Sequence, residues 1–412
     1  MDNLSHSVAG LVVSELIARR LPPEPDPIRQ RTRHRLLLVA GTVASSFPDL
    51  DLFLSGLLPP PLGYLLHHRG HTHTLLYALP QALLLCALIW LLWPAARRLL
   101  RVSRVARIGL AGVVAAGFGL HLAMDFLNSY GIHPFHPFDS HWLYGDLVFI
   151  IEPVFWVALG VPLAMLVRPV WLRALLLGLL GTVLAWFAWH GYLHWGSLLG
   201  LYALGALLAC MQWRTKVHRD ARALGAGVAA VLAFLAVQAV ASRQAALQLH
   251  AALAELDPAS TVVDTARTAF PANPLCWSFV SVEMDEAADR YRLRRGVLAL
   301  APKRLPVAAC PAALAQHPGQ HGARPDLALQ AEYQGSLAEL RTLYRENCHF
   351  NAWMRFARAP RLEGAVAGDM RFSTSPRGNF TSIDLADFVG AACPQFVPQW
   401  GYPRADLLGG KE

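Results

Sequence analysis

Four short motifs within the first third of the chain carry histidines and aspartates that could do chemistry together. Imidazole and carboxylate groups are ligands for zinc and similar metals, and they are costly to place among apolar helices without a function. The motifs supply seven candidate ligands: His6, Asp49, Asp51, His68, His73, His121 and Asp125. Together they predict a metal site with mixed histidine and aspartate ligands.

Each motif also has a structural explanation of its own. His121 and Asp125 have i, i+4 spacing, which places them on one helical face, where they could form a buried hydrogen-bonded pair. The motif at 48–51 could be a turn in which one aspartate caps a helix. The histidines of the third motif could lie on a wet interfacial loop. A metal site explains all four motifs at once, whereas the alternatives need a separate reason for each.

Such a ligand set favours hydrolytic chemistry. Zinc fits it best, with manganese and iron as alternatives. Zinc lowers the pKa of bound water to roughly 7, and two ions about 3.5–4 Å apart can clamp a phosphoester. Arg69 is predicted to be catalytic by holding a phosphate, with ion pairing to an aspartate as the alternative. Glu152 is the second catalytic candidate, as general base or further ligand.

The composition is typical of a membrane protein. Of 412 residues, 54% are hydrophobic and only 16% are charged. Apolar blocks of about 20 residues precede residue 243, and each is long enough to cross about 30 Å of hydrocarbon. They predict spanning or buried segments at 4–18, 36–57, 74–94, 107–127, 147–167, 171–190, 196–213 and 223–242.

The positive charge is distributed as in a multi-pass membrane protein. The formal net charge is +8, and the excess lies in short loops between the apolar blocks, so no nucleic acid partner is expected. Four loops are basic, at 19–35, 97–107, 168–173 and 214–222. Placing all four in the cytoplasm gives alternating spans. Every candidate ligand then lies at the opposite membrane face, and the chain after 243 lies outside the cytoplasm.

The last 170 residues are more polar and predict a soluble α+β domain. Alternating stretches predict a hairpin from 277–283 and 291–294, with further strands at 370–372 and 380–385 and a helix at 330–346. Four cysteines predict two disulfides with three possible connectivities, and free buried thiols are the alternative: Cys276, Cys310, Cys348 and Cys393. The expected organisation is a helical membrane domain at 1–243 and an extracytoplasmic α+β domain at 244–412, mainly α in all.

The four motifs resemble those of the YdjM family. The strings are Asn3-Leu-Ser-His6, Pro48-Asp49-Leu-Asp51, His68-Arg-Gly-His-Thr-His73 and His121-Leu-Ala-Met-Asp125. The resemblance covers roughly residues 1–170. It implies a bacterial inner-membrane protein of a family described as LexA-binding and as metal-dependent hydrolases.

A more distant likeness concerns mechanism. The order His, Asp, His, then His-x-x-x-Asp is similar to that of zinc-dependent phospholipase C and the P1-type nucleases. It is carried by His6, Asp49, His68, His121 and Asp125. The likeness implies up to three zinc ions, so the number of ions stays open between one and three. The remaining ligands of those enzymes have no clear counterpart, and the possible substitutes are His133, His136, Asp139, Asp146 and Glu152.

The motifs and the topology together predict a membrane-embedded metal-dependent hydrolase. Its expected partner is the lipid bilayer, and its expected substrate is a phosphoester of a lipid or a lipid-linked compound. The alternative is a non-catalytic scaffold or regulator with a structural metal and a periplasmic binding domain.

Overall fold

The structure is a computed structural model that describes residues 1–214, 221–315 and 324–409. Helices dominate the chain as far as residue 256. They are α1 (Asn3–Arg20), α2 (Pro27–Ala44), α3 (Leu62–His67), α4 (Leu75–Leu92), α5 (Pro94–Val102), α6 (Arg104–Phe126), α7 (Pro153–Met165), α8 (Val170–Trp189), α9 (Trp195–Arg214) and α10 (Arg222–Leu256).

Among the described residues, six helical segments are long and apolar enough to cross a membrane. They are Pro27–Leu57, α4, α6, α8, α9 and α10. Little of α4 and α8 is buried inside the protein, so their leucine-rich surfaces are available to lipid. The prediction of a polytopic helical membrane domain is confirmed.

Two of the eight predicted segments differ from the six spans. α1 is an 18-residue helix, but it is not among the candidate spans. The segment predicted at 147–167 contains only α7, with 13 residues. α7 starts late because Glu152 caps it through the Val154 N–H and Pro153 occupies its first turn, where proline is favoured. The basic loop at 97–107 also contains most of α5, a helix that the apolar runs do not predict.

The second span is broken at the aspartate motif. α2 ends at Ala44, and a 3₁₀ helix then runs from Phe47 to Leu57 with Pro48 in its first turn. Proline cannot donate a backbone hydrogen bond and clashes with the preceding turn of a helix, so Pro48 disfavours continuation of the α-helix at this point. The break leaves backbone groups free for side-chain partners at membrane depth.

The C-terminal part is an α+β unit, as predicted. Its first sheet is antiparallel in chain order, with β1 (Thr261–Phe270), β2 (Asn273–Asp285), β3 (Arg290–Ala299) and β4 (Leu327–Ser336). The helices that follow β3 are α11 (Ala312–Ala315), α12 (Leu337–Glu346) and α13 (Cys348–Met354). A second sheet contains β5 (Pro360–Glu363), β6 (Val366–Asp369) and β7 (Ile383–Asp384).

Local predictions in this part had mixed outcomes. The hairpin is β2–β3, with Val280 opposite Arg295. The helix predicted at 330–346 was correct only for its second part, which is α12. Its first part, 330–336, belongs to β4 and pairs with β3. The strand predicted at 370–372 was wrong, since the strand ends at Asp369 and a turn follows. Two disulfides form as predicted, Cys276–Cys310 and Cys348–Cys393, which selects one of three connectivities.

The membrane part and the C-terminal part share one hydrophobic core. Leu62 and Leu65 of α3 are fully buried in the same cluster as Trp353 of α13 and Trp400. The indole N–H of Trp400 donates to the Leu66 carbonyl at 2.9 Å. In addition, α10 runs without a break through residue 243, the predicted boundary between the two domains. The C-terminal part therefore packs directly against the segments that carry the candidate ligands.

Candidate metal centre

Helix α6 supplies two adjacent ligands. His121 and Asp125 lie one turn apart on its buried face, and their side chains are 0% and 1% exposed. The spacing places His121 Nε2 3.6 Å from Asp125 Oδ2. α6 packs against α1 and α2, which holds this face towards the break in the second span.

A backbone carbonyl orients His121. The carbonyl oxygen of Ser45, which follows the last residue of α2, lies 2.8 Å from His121 Nδ1 and accepts its hydrogen. That hydrogen bond selects the tautomer in which the Nε2 lone pair faces the other ligands. Metal-binding histidines are commonly oriented in this way by a carbonyl or a carboxylate.

His73 lies at the centre of the cluster. It ends a short 3₁₀ turn, His71–His73, directly before α4, and its side chain is fully buried. Its Nδ1 lies 3.1 Å from Asp51 Oδ2, and its Nε2 lies 3.2 Å from Asp125 Oδ2 and 3.4 Å from Asp49 Oδ1. The same Nε2 lies 2.9 Å from His121 Nε2.

The facing Nε2 atoms of His73 and His121 need either a proton or a metal ion between them. Burial lowers the pKa of His73, but its contacts with Asp125, Asp49 and Asp51 outweigh that effect and raise the pKa to about 10. Two Nε2 lone pairs at 2.9 Å would repel each other, so either a proton on His73 or a metal ion must balance the cluster.

The carboxylate-to-imidazole distances fit a tetrahedral ion such as zinc, whereas the 2.9 Å between His73 Nε2 and His121 Nε2 is shorter than such an ion requires. Ligand atoms of Asp49, His73, His121 and Asp125, which we call the first ligand group, all lie within 4.8 Å of one another. Bonds of 2.0–2.2 Å to a tetrahedral ion imply about 3.4 Å between ligand atoms. The carboxylate-to-imidazole distances in this group are 3.2 to 3.6 Å. The donor set and its spacing therefore suit a divalent metal.

A second ligand group contains Asp49, Asp51 and His68, again with ligand atoms within 4.8 Å of one another. Asp49 belongs to both groups. The side chains of Asp49 and His68 are 11% and 14% exposed, whereas His73 is fully buried. Solvent or a ligand therefore approaches the cluster from the second group.

Asp51 also organises the loop that carries the histidines. Its Oδ1 lies 3.1 Å from His68 Nδ1. Its Oδ2 accepts hydrogen bonds from the Arg69 backbone N–H at 2.9 Å and the Thr72 hydroxyl at 2.8 Å. Arg69 adopts a positive φ of 58°, and Gly70 follows it, which gives the sharp turn between His68 and His73. The hydrogen bond from Thr72 could not be predicted from the sequence, where only its place within the histidine motif was apparent.

His6 and Arg69 support Asp125 from behind. His6 Nε2 lies 3.2 Å from Asp125 Oδ1, and the His6 ring stacks on His121 with centroids 4.1 Å apart. Arg69 Nη2 lies 2.9 Å from the same oxygen, and the N-terminal ammonium group of Met1 also contacts it. With Oδ1 taken, Oδ2 is the oxygen that faces the first ligand group. His6 thus lies beside the candidate ligands and outside both groups.

The contacts of Arg69 are those of a structural partner. Its side chain is 3% exposed, and Nη1 donates to the Asp125 carbonyl oxygen and to Asn128 Oδ1 at 3.2 and 3.0 Å. The guanidinium group also lies 4.7 Å from the centre of the Tyr130 ring. Of the two roles considered for Arg69, ion pairing to an aspartate is the one with direct contacts. Asn128, three residues after Asp125, was not recognised from the sequence.

Glu152 has contacts of a different kind. Its buried carboxyl group accepts hydrogen bonds from the N–H groups of Val154, at the start of α7, and Ala272, in the β1–β2 turn, at 3.2 and 3.0 Å. Burial raises its pKa to about 8. None of its described contacts is with the metal cluster, so its catalytic role stays a prediction.

The other possible substitutes are engaged elsewhere. Asp146 forms a bidentate ion pair with Arg358. Asp139 contacts His141, and His133 and His136 pack around the Trp400 ring. No third group of ligands is found among the described residues.

Comparisons with known proteins support the membrane family. The profile described as YdjM inner membrane protein matches residues 1–196, which include all seven candidate ligands. A protein of Bacillus subtilis named "Uncharacterized protein YfhP" is 25% identical over 158 residues, which is 38% of this chain. That alignment spans 44% of the relative, less than half its length. No solved structure matches, and the likeness to phospholipase C and P1 nuclease finds no support. Residues 1–196, just under half of this chain, therefore match the family model of the YdjM inner membrane proteins.

Proposed function

We propose that the protein is a metal-dependent hydrolase of the inner membrane that cleaves a phosphoester of a lipid or lipid-linked substrate. The observation that carries the proposal is the pair of ligand groups that share Asp49, of which the first is the more deeply buried. A bound divalent ion supplies Lewis acidity, which polarises a phosphoryl oxygen and makes water acidic enough to attack at neutral pH.

Different residues of the chain would bind the ions and orient the ligands. The first ligand group would hold one ion, and the second ligand group would hold another, with Asp49 common to both. His6 and Arg69 keep the Asp125 carboxylate oriented. Because Asp49 and His68 are the least deeply buried members, the reacting bond would approach on their side. Zinc is the metal that the ligand types favour.

The surroundings of the ligands support a lipid substrate. The 3₁₀ helix that carries Asp49 and Asp51 also exposes Leu50, Phe53 and Leu57, with Phe53 85% exposed. A cluster of exposed apolar side chains marks a membrane or ligand contact. The ligands therefore lie on a segment whose other face is suited to the bilayer, so a lipid could reach the site laterally.

The C-terminal domain would form one wall of the open side. Tyr64 stacks on His68 with ring centroids 5.1 Å apart, and Phe380 meets the Tyr64 ring edge-on at 5.6 Å. Phe380 is 44% exposed. These aromatic rings would contact the substrate next to the second ligand group.

The arginine distribution supports a periplasmic site. If the basic loops are cytoplasmic, the metal cluster and the C-terminal domain lie at the opposite face. Two disulfides in that domain agree with an oxidising compartment.

The test combines metal analysis with a lipid hydrolysis assay. The purified protein should contain zinc and release a headgroup from labelled inner-membrane lipids. Asp125→Ala should lose most of the metal and at least a hundredfold in rate, because it removes a ligand of the first group. Full metal content in Asp125→Ala would refute its ligand role, and zinc-loaded wild type without hydrolysis would refute the enzyme.

A scaffold with a structural metal is the second candidate. The first ligand group favours it, because four protein ligands, three of them fully buried, resemble a closed structural site. It predicts that metal removal lowers the thermal midpoint while no lipid is hydrolysed under any metal condition.

A further inference from the structure

A large apolar cavity lies in the membrane part, away from the metal cluster. Its volume is about 940 Å³, and α1, α2, α7 and α8 supply its walls. That volume is at the upper end of the roughly 300–1,000 Å³ typical of ligand pockets. Most of the lining is aliphatic, with leucines from all four helices.

The cavity is elongated along α1. Its lining includes Leu4, Val8, Leu11, Glu15 and Ala18, which recur at the spacing of one helical face. With 1.5 Å of rise per residue, this face extends about 21 Å. Half of a typical hydrocarbon core is about 15 Å. The length therefore suits an acyl chain.

His6 faces another direction. On α1 it lies two residues from Leu4 and from Val8, about 200° around the helix, and it contacts Asp125 instead of the cavity. The metal cluster and the cavity thus occupy opposite faces of one helix, and the function proposed above leaves the cavity without a role.

One end of the cavity is charged. Glu15 accepts hydrogen bonds from Arg19 and His34, each at 2.7 Å. Arg168, exposed at the same lining, has no hydrogen-bond or ion-pair partner among the described residues. Arg19 and Glu15 balance each other, so Arg168 leaves this end with a net positive charge.

We propose that the cavity binds one molecule of an anionic glycerophospholipid, with its acyl chains along the leucine-lined walls and its phosphate at Arg168. The charged end complements an anionic headgroup, and the apolar length complements the chains. This end carries the basic loops, so the lipid would come from the cytoplasmic leaflet in the proposed topology. The proposal does not depend on the metal site being catalytic.

Two glycines allow a matched test. A side chain at Gly160 would project into the open space of the cavity, since its Cβ position has no neighbour within 4 Å. Gly178 of α8 is equally free of neighbours, but it is exposed and does not line the cavity. Gly160→Phe therefore fills the cavity, and Gly178→Phe is the control.

The measurement is native mass spectrometry of delipidated protein titrated with dioleoylphosphatidylglycerol or dioleoylphosphatidylcholine. Wild type and Gly178→Phe should bind one phosphatidylglycerol, and Gly160→Phe should bind it at least tenfold more weakly. Arg168→Gln should remove the preference over phosphatidylcholine. Val8→Phe narrows the cavity from α1 and provides a second blocking variant if Gly160→Phe does not fold.

Three results would overturn the proposal. The first is phosphatidylglycerol binding by Gly160→Phe and Val8→Phe that equals wild type. The second is equal binding of both lipids by the wild type, which would leave no role for Arg168. The third is a dimer that disappears in Gly160→Phe, because a second copy would then be the occupant. Hydrolysis of lipid is not measured, so failure here and failure of the enzymatic proposal are distinguishable.

Discussion

At the scale of single residues, Asp49 is the side chain on which both ligand groups depend. It is the carboxylate common to both ligand groups, and it is also more exposed than the buried histidines around it. A side chain that serves two ligand groups should matter more than one that serves a single group. Asp49 therefore separates a two-ion site from a one-ion site.

We expect Asp49→Asn to lower the metal content of the purified protein to below about a tenth of the wild-type value. The amide lacks the negative charge that both groups use. Asp139→Asn is the matched control, because Asp139 is half exposed and pairs only with His141 among the described contacts. Metal per chain is measured by inductively coupled plasma mass spectrometry. Unchanged metal content in Asp49→Asn would show that Asp49 is not a ligand.

Glu152 gives a prediction for pH. It lies before α7 and outside the six candidate spans, and burial raises its pKa from the usual 4.5 to about 8. The folded state therefore retains a proton that the unfolded chain loses above pH 4.5. Its stabilising contribution is complete below that pH and is lost as pH rises to about 8, at roughly 1.4 kcal/mol per pH unit.

Glu152→Gln should remove this dependence. Thermal midpoints in detergent, measured from pH 5 to 8, should fall more steeply for wild type than for the variant. The amide keeps an acceptor for the Val154 and Ala272 N–H groups, so the variant should fold. Parallel profiles would show that Glu152 does not titrate in this range.

At the scale of elements, the contact between α2 and α6 sets the geometry of the site. A Cβ built at Gly117 of α6 would lie 2.6 Å from Ala44 Cβ and 3.0 Å from the Ser45 backbone nitrogen. Only glycine permits this approach. The approach also brings the Ser45 carbonyl to His121, one turn further along α6. Helix packing thus determines the orientation of a ligand.

Gly117→Val should separate the two helices and weaken metal binding at least tenfold, because His121 loses its carbonyl partner. Gly119→Val on the same helix is the control, since its Cβ would have no neighbour within 4 Å. Zinc affinity is measured by competition with a chelating dye, and circular dichroism checks that the helices remain. Equal affinities for the two variants would contradict this account.

At the scale of the whole molecule, a buried ion-pair network joins the C-terminal domain to the membrane part. The Arg358 guanidinium bonds Asp146, in the loop after α6, at 2.8 and 2.9 Å, and it bonds Asp264 of β1 at 2.6 and 2.9 Å. Arg358 and Arg404 beside it hold the pKa of Asp264 well below its usual range, although burial opposes them. The network fixes the domain over the ligand-bearing loops.

Arg358→Met should destabilise the protein by about 3–5 kcal/mol, because it leaves two buried carboxylates without their main partner. The thermal midpoint should fall, and limited proteolysis of the chain after residue 126 should become faster. Arg377→Met changes an exposed arginine and serves as the control. An unchanged midpoint in Arg358→Met would show that the network does not hold the domain.

Much of the organisation could be predicted from local sequence patterns. Apolar runs of spanning length indicate α4, α6, α8 and α9, because a helix in lipid must satisfy its backbone internally. The i, i+4 spacing placed His121 beside Asp125 without further information. Residues 330–336 show the limit of such patterns. Their apolar residues have helical spacing, but the segment forms a strand because it pairs with β3.

The sequence by itself determined the ligand types, the membrane helices and the presence of two disulfides, because these follow from residue chemistry, run length and number. Only the tertiary structure decided which ligands meet. Asp49 joins two groups, His6 lies behind Asp125, and Glu152 contacts the β1–β2 turn. These positions depend on the contact between α2 and α6 and on where the C-terminal domain packs against the membrane part. Both arise between residues far apart in the chain, and local patterns carry no information about such distances.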